Sequence, residues 1–236
     1  MSQRQRELIS TDALIRTLAE EPLSQHPTLI ERTRHLPLEL LIPRILEKTT
    51  ESWHATKRRT IPFFLLGTAG LLGFAKLAPT GWSFIGTLGF LIFLFWLVGQ
   101  LRTLPGEENA LLVLAERRAE LGQDEVSLVL ARLQSAHSVT GKEAIEAVQA
   151  LRQWLMAILP RLTEAQCQAL TEPEREFLRG MVRRGGPEER VAGLLVLATA
   201  RDAGILPLAK LLAIDAPDTD ERVREAAQEV LRTLWG

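Results

Sequence analysis

The chain has 236 residues, 46% of them hydrophobic, and a net charge of −1 from 28 Lys and Arg against 29 Asp and Glu. That length holds one or two domains, and no stretch is basic enough to leave the concentrated positive footprint that nucleic-acid binding requires. A single cysteine, Cys167, excludes an intrachain disulfide, and its Ala/Gln-rich helical surroundings mark it as a small packing residue. Charge is unevenly spread: residues 1–60 carry +2 (10 basic, 8 acidic), residues 61–106 carry +2 from Lys76 and Arg102, and residues 107–236 carry −5 (16 basic, 21 acidic).

The opening, MSQRQRELISTDALIRTLAEE, has no apolar core of the signal-peptide kind, so no cleavable leader is expected and the first apolar run is internal. Arg4 to Glu20 reads as a loosely amphipathic helix, with apolar Leu8, Ala13, Leu14, Ile15 and Leu18. A sharper stripe follows: Leu38, Leu41, Ile42, Ile45 and Leu46 fall at i, i+3, i+4, i+7 and i+8, and Thr49 and Trp53 extend it. Pro43 is expected to kink or split this helix. The stripe has two candidate uses. It either lies on a membrane surface, with Lys57, Arg58 and Arg59 toward anionic lipid, or packs against the C-terminal domain.

Residues 61–101 hold one charged side chain, Lys76. The run Ile61 to Leu77 spans about 25 Å as a helix at about 1.5 Å per residue, the short end of what a bilayer core of about 30 Å demands. Ala78-Pro79-Thr80-Gly81 reads as a turn, and residues 82–101 form a second, uncharged run. The expectation is a two-helix transmembrane hairpin (61–77 and 82–101) between a juxtamembrane segment, 1–60, and an all-helical domain, 107–236. Basic residues before the first run and after the second place both termini in the cytoplasm. Gly67, Gly70 and Gly73 in the first run, and Gly86 and Gly89 in the second, are candidate helix-packing positions. They would face each other, another membrane subunit or a second copy of the chain within the lipid bilayer. No Asp, Glu, His or Arg lies mid-run, so a proton or ion path is not expected.

After Leu104-Pro105-Gly106, every segment reads as helix. One is expected from Glu107 to Leu121 with Gly122 as its stop, and another around Val126, Val129, Leu130 and Leu133. Thr140 to Glu143, Thr163 to Gln166 and Thr171 to Glu174 have the spacing of capping boxes. The first of them opens a stripe of Ala144, Val148, Leu151, Leu155 and Ile158 that ends at Pro160. Gly185-Gly186 ends a helix over about 172–184, and Pro187 begins the next. No strand pattern appears, so the fold class expected is all-α.

The last fifty residues repeat a short motif. Glu189-Arg190-Val191 recurs as Glu221-Arg222-Val223, and Val191, Leu194, Leu195 and Ala198 match Val223, Ala226, Ala227 and Val230 in position and apolarity. Between the copies lies an expected helix, Ile205 to Ile214, with Pro207 near its start. This arrangement resembles HEAT repeats of the short, bilin-lyase-like type, in which a Val-Arg-x-x-Ala-Ala helix precedes a Pro-containing, Leu-rich one. Val223-Arg224-Glu-Ala226-Ala227 keeps that pattern; in the first copy Ala192 replaces the Arg and Leu194-Leu195 the Ala pair. The resemblance covers about residues 172–235 and implies an α-solenoid that binds proteins.

No chemistry-bearing constellation stands out. His26, His35, His54 and His137 are scattered without metal-ligand spacing, and phosphate-loop, GxSxG and HExxH motifs are missing. No catalytic residue, metal or cofactor is therefore expected. Arg175, Arg179 and Arg183 fall at i, i+4 and i+8, with Arg184 beside them and Arg190 opening the next helix. A row of like charges disfavours a helix, so these five are the candidate partner-binding residues. The expected function is a membrane-anchored HEAT-like adaptor or scaffold that binds another protein of a membrane complex. The alternatives are an accessory subunit of a transporter or channel acting through its hairpin, and an enzyme of the bilin-lyase type.

Overall fold

The computed structural model describes residues 3–23, 28–77, 105–136, 141–215 and 220–235. Among the described residues every regular element is helical, as the absence of alternating apolar patterns leads one to expect. The chain divides into two compact units, residues 1–110 and 111–236.

The first unit contains α1 (Gln3–Glu20), α2 (Thr28–Thr33), α3 (Leu38–Leu77) and the first turns of α4 (Pro105–Glu116). Helices α1 and α3 lie side by side. Ile15, Leu18 and Ala19 from α1 and Leu38, Leu41, Ile42 and Ile45 from α3 are buried. The helical spacing of the α3 stripe is thus real, and its partner is α1. The Thr49 hydroxyl, buried on the same face, donates to the Ile45 carbonyl at 2.7 Å and so carries no desolvation penalty. Pro43 does not split the helix. It lies on the exposed face close to the start of α3, where its missing N–H deprives one carbonyl, that of Glu39, of its bond.

Two residues of α4 belong to this unit's interior. Asn109 is fully buried; its side-chain oxygen accepts from the Leu23 amide at 3.0 Å, and its amide nitrogen donates to the Leu18 and Glu21 carbonyls, both at 2.7 Å. Carbonyls at the end of α1, which have no partner within their own helix, are thereby satisfied from a residue far along the chain. Gly106 faces Thr49 so closely that an added Cβ would overlap the threonine hydroxyl. Glycine is required there by proximity, not by backbone conformation.

The expected two-span membrane hairpin is corrected. Among the described residues no helix is long and apolar enough to cross a membrane. The first run is not a separate element but the end of the 40-residue α3, continuous with a stretch that carries Lys48, Glu51, Lys57 and Arg58. Its 17 residues are at the short end of what a bilayer core takes, and Lys76 is among them. The turn and the second run, with Gly86 and Gly89, lie outside the described residues. Gly67, Gly70 and Gly73 are positions in the last part of α3. The two-pass localisation, with cytoplasmic termini, falls with the hairpin. Lys57, assigned to a lipid border, sits over the Trp53 ring with its Nζ 4.6 Å from the centroid.

The second unit takes in α5 (Val126–Ser135), α6 (Lys142–Ile158), α7 (Glu164–Gln168), α8 (Glu172–Arg184), α9 (Pro187–Thr199), α10 (Leu206–Lys210) and α11 (Glu221–Trp235). Helix α9 is central and touches α6, α7, α8 and α11. Ala192, Gly193, Leu194, Val196, Leu197 and Ala198 are all buried, so α9 has apolar residues on nearly every side. A Cβ on Gly193 would sit 2.7 Å from Val182 Cγ2 and 3.4 Å from the Leu178 carbonyl; the missing side chain lets α8 and α9 approach closely. Boundaries differ from expectation in two places. Pro105 and Gly106 open α4 instead of breaking the chain, and α4 gives way at Glu116 to a 3-10 turn over Arg118–Glu120. Helix α6 starts at Lys142 with Gly141 as its N-cap, so the box expected at Thr140 to Glu143 is out of register by one residue, and Thr140 lies outside the described residues.

The HEAT-like solenoid is corrected as well. True repeats place matching residues in matching surroundings; Leu194 and Ala198 are buried like Ala226 and Val230, but the pair at Leu195 and Ala227 is not matched. Ala227 in α11 is wholly buried, whereas its counterpart Leu195 in α9 is 41% exposed. Helix α11 buries one stripe, Val223, Ala226, Ala227 and Val230, while α9 is enclosed nearly all round. The expected Ile205 to Ile214 helix is a 3-10 turn (Ala203–Ile205), the five-residue α10 and a π segment (Leu211–Asp215) in succession. Similar apolar spacing in α9 and α11 reflects two amphipathic constraints, not a repeated unit.

Overpacking at a close helix crossing costs about 1–3 kcal/mol. Gly106→Ala is expected to lower unfolding stability by that amount in urea titration, and adding Thr49→Ala should recover part of the loss. Equal stability of Gly106→Ala and the parent would show that α4 does not press on Thr49.

Candidate functional site

The five arginines singled out by spacing have separate fates. Two of them serve helix starts. In Thr171-Glu-Pro-Glu174-Arg175, the Glu174 carboxylate accepts from the Thr171 amide at 2.7 Å and its hydroxyl at 2.8 Å. Arg175 reaches back one residue further, donating from Nε to the Leu170 carbonyl and from Nη2 to the Gln168 carbonyl, both at 2.9 Å. In Gly186-Pro-Glu-Glu189-Arg190 the same device recurs: Glu189 accepts from the Gly186 amide at 3.1 Å, and Arg190 Nε donates to the Gly185 carbonyl at 2.9 Å. Each glutamate satisfies an orphan amide at the start of its helix, and each arginine a carbonyl of the element before it. The expected box at Thr163 to Gln166 is also formed, with both reciprocal bonds.

Arg179 is an internal ion-pair hub. Its Nε and Nη2 grip Asp202 Oδ2 and Oδ1 at 2.7 and 2.6 Å, and Nη1 donates to Glu172 at 2.8 Å and Glu176 at 2.9 Å. The two-pronged geometry is the one in which arginine binds a carboxylate most strongly. Asp202 is buried and also accepts from the Gly204 amide at 3.2 Å. Burial acts to raise its pKa, but the Arg179 hydrogen bonds, the Gly204 amide and the charges of Arg179 and Arg175 outweigh it and hold the carboxyl below its ordinary value. A Cβ on Gly204 would lie 2.7 Å from the Arg179 guanidinium carbon, so the cation rests directly on this glycine. Arg175, Arg179 and Arg190 are therefore engaged within the fold and do not make a docking row.

Arg183 and Arg184 differ. Both are exposed at the end of α8, and among the described residues neither side chain has an ion pair or hydrogen bond. They border a surface depression of about 420 Å³ whose lining includes Phe177, Gly180, Met181 and Arg152. A second depression, of about 680 Å³, adjoins it at Arg152, Gly186 and Glu189 and is lined by Met156, Pro160, Pro187, Val191 and Leu195. The two run on either side of the Arg152–Glu189 pair, whose nearest atoms are 3.9 Å apart. Together they form one furrow across α6, the α8–α9 elbow and the start of α11. Leu195 is exposed on the same side of α9 as Glu188 and Thr199, and it lines the apolar half.

Nothing in the furrow forms a catalytic constellation. Among the described residues no group of three His, Cys, Asp or Glu side chains could hold a metal ion. Cys167 is buried, and burial followed by the Glu164 charge pushes its thiol up, away from the reactive thiolate. Comparison of the chain with protein families, with curated proteins and with solved structures finds no match in any of the three.

Sequence spacing alone did not find the furrow. Leu195 sits in an unbroken apolar segment, Val191 to Ala198, where periodicity cannot tell which residue is left outside. Arg152 carries no signal beyond its place on the polar side of α6. Asp202 is 23 residues from Arg179 and joins it through the fold alone.

Breaking one partner of a buried ion pair costs about 3–5 kcal/mol. Asp202→Asn should lower stability by that order at neutral pH. Because the folded carboxyl titrates below its ordinary value of about 3.9, its stabilisation is present in full above that value and disappears as pH falls through the lowered folded pKa. Urea midpoints of parent and variant should therefore converge in acid; a pH-independent gap would show that the carboxylate's charge is not what matters.

Arg201, at φ 53°, holds the left-handed position that ends α9, where its amide bonds the Ala198 carbonyl at 2.9 Å and the Asp202 amide bonds that of Leu197 at 2.9 Å. A side chain there costs about 1–2 kcal/mol, offset by the roughly 0.5–1 kcal/mol that glycine loses in ordering. Arg201→Gly should raise stability by up to about 1 kcal/mol in thermal unfolding. A lower midpoint would mean that the arginine side chain itself stabilises the turn.

Proposed function

We propose that the chain is a non-catalytic adaptor whose second unit binds another protein through the furrow across α6, α9 and the start of α11. The observation that carries this reading is Leu195. It is a large apolar side chain 41% exposed within an apolar-lined groove, on a helix whose neighbouring apolar residues, Leu194, Val196 and Leu197, are buried. An apolar floor with a charged border (Arg152, Glu188, Glu189, Asp220 and Arg222) has the organisation of a protein-binding groove, a dry centre inside a polar rim. Helix-in-groove recognition reads such a surface through anchors spaced along one helical face.

The test uses the full chain with a photo-crosslinking residue at Gln153, on the groove's edge, recovered from its own cells. The expected outcome is one dominant crosslinked protein, lost in Leu195→Asp while circular dichroism keeps its helical signal. An exposed substitution shifts stability by about 0.5 kcal/mol or less, so loss of the crosslink reports on binding and not on unfolding. Retention of the same crosslink in Leu195→Asp would rule out this groove as the docking surface.

A further inference from the structure

The chemistry of the partner is written in the other half of the furrow. This inference rests on the adaptor reading and specifies what the groove takes. Five charged side chains line that half: Arg152, Glu176, Arg183, Arg184 and Glu189. The two acids are already committed. Glu176 accepts from Arg179 at 2.9 Å, and Glu189 accepts from the Gly186 amide while facing Arg152. Arg183 and Arg184 have no acidic partner among the described residues, and both are exposed. Arg184 extends over Gly180, its Nη2 3.7 Å from where a Cβ would stand, so an unobstructed helix face lies beneath the guanidinium. Phe177 and Met181 provide the apolar lining below.

The end of α8 explains why two cations sit here. Basic residues in a last turn offset the negative end of the helix dipole, and Gly185 follows at once. Gly185 is fixed as glycine, since a Cβ would come within 2.5 Å of both the Met181 carbonyl and the Glu189 carboxylate. The elbow thus holds both arginines at one end of a continuous furrow whose other end is apolar and holds Leu195. Charge complementarity then selects an occupant with carboxylates at one end and apolar side chains at the other.

We infer that the furrow binds an acidic amphipathic segment of a partner protein, its carboxylates on Arg183 and Arg184 and its apolar residues over Leu195, Met156 and Pro160. Arginine pairs with carboxylates through a planar fork, and partly desolvated pairs at a groove end fix the direction of a bound peptide more than its affinity.

The probe is a fluorescein-labelled synthetic peptide with Leu at i, i+3, i+4 and i+7 and Glu clustered at one end. It is titrated into the full chain by fluorescence anisotropy. Its counterpart carries Lys in place of Glu. The acidic peptide is expected to bind more tightly, with affinity falling as salt rises. Arg183→Glu with Arg184→Glu should weaken it by about tenfold or more and reverse the preference toward the Lys peptide, whereas replacing both arginines with Lys should keep most of the binding. Leu195→Asp should weaken both peptides alike. If the charge reversal leaves acidic-peptide affinity unchanged while Leu195→Asp removes it, the acidic partner is wrong and the groove stands. Preference of the parent chain for the Lys peptide has the same meaning. If neither peptide binds, or neither change affects binding, the groove reading falls with it. A single-stranded RNA of equal charge that binds as tightly as the acidic peptide would overturn the inference, because the arginines would then be reading charge without the apolar half.

Discussion

A helix covered on most of its surface leaves water one narrow side, here Glu188, Leu195 and Thr199 of α9, and that condition bears on everything packed around it. Its segment from Ala192 to Ala198 is apolar apart from Gly193, and the glycine is what allows α8 to come close. With α8 pressed against it, charged side chains at the α8 crossing must be neutralised within the fold. The Arg179–Asp202 pair does this, seated on Gly204 and completed by Glu172 and Glu176 from the solvent side. Burial of α9, the glycine contacts and the ion pair are one arrangement, and Leu195 is the large apolar residue on the side where enclosure stops.

Much of the local structure could be read from the residues. The Leu38 to Ile45 stripe, the Thr163 and Thr171 helix starts and the Gly185-Gly186-Pro187 elbow are where spacing and capping chemistry put them, because each is decided by neighbours within a few positions. What an apolar face meets is a different kind of question. The α3 stripe fits a lipid surface or a distant domain on paper, whereas in the fold it lies along α1. The resemblance between α9 and α11 misled for a related reason. Spacing records which residues are apolar but not how many sides of a helix are covered.

The arginine row shows the same limit from the side of function. Positions i, i+4 and i+8 suggested a single positive face, yet Arg175 is spent on carbonyls and Arg179 on a carboxylate across the fold. The pair left exposed at the end of the helix is Arg183, the last member of that row, and its neighbour Arg184. Of the five arginines that spacing and clustering pick out, Arg183 and Arg184 are the ones with no bond inside the fold among the described residues. The deciding facts, Asp202 above all, lie outside the helix that carries the row.

Asn109 bears on how the protein is made. The first helical unit cannot close until this residue arrives, because its amide joins backbone groups at Leu18, Glu21 and Leu23, 86 to 91 positions earlier. On the ribosome, α1 and the start of α3 therefore emerge well before the group that ties off the end of α1. Closing so long a loop is slow relative to forming either helix. Until then the end of α1 lacks the side chain that satisfies its carbonyls. The tie at the end of α1 can therefore form only after elongation has passed residue 109.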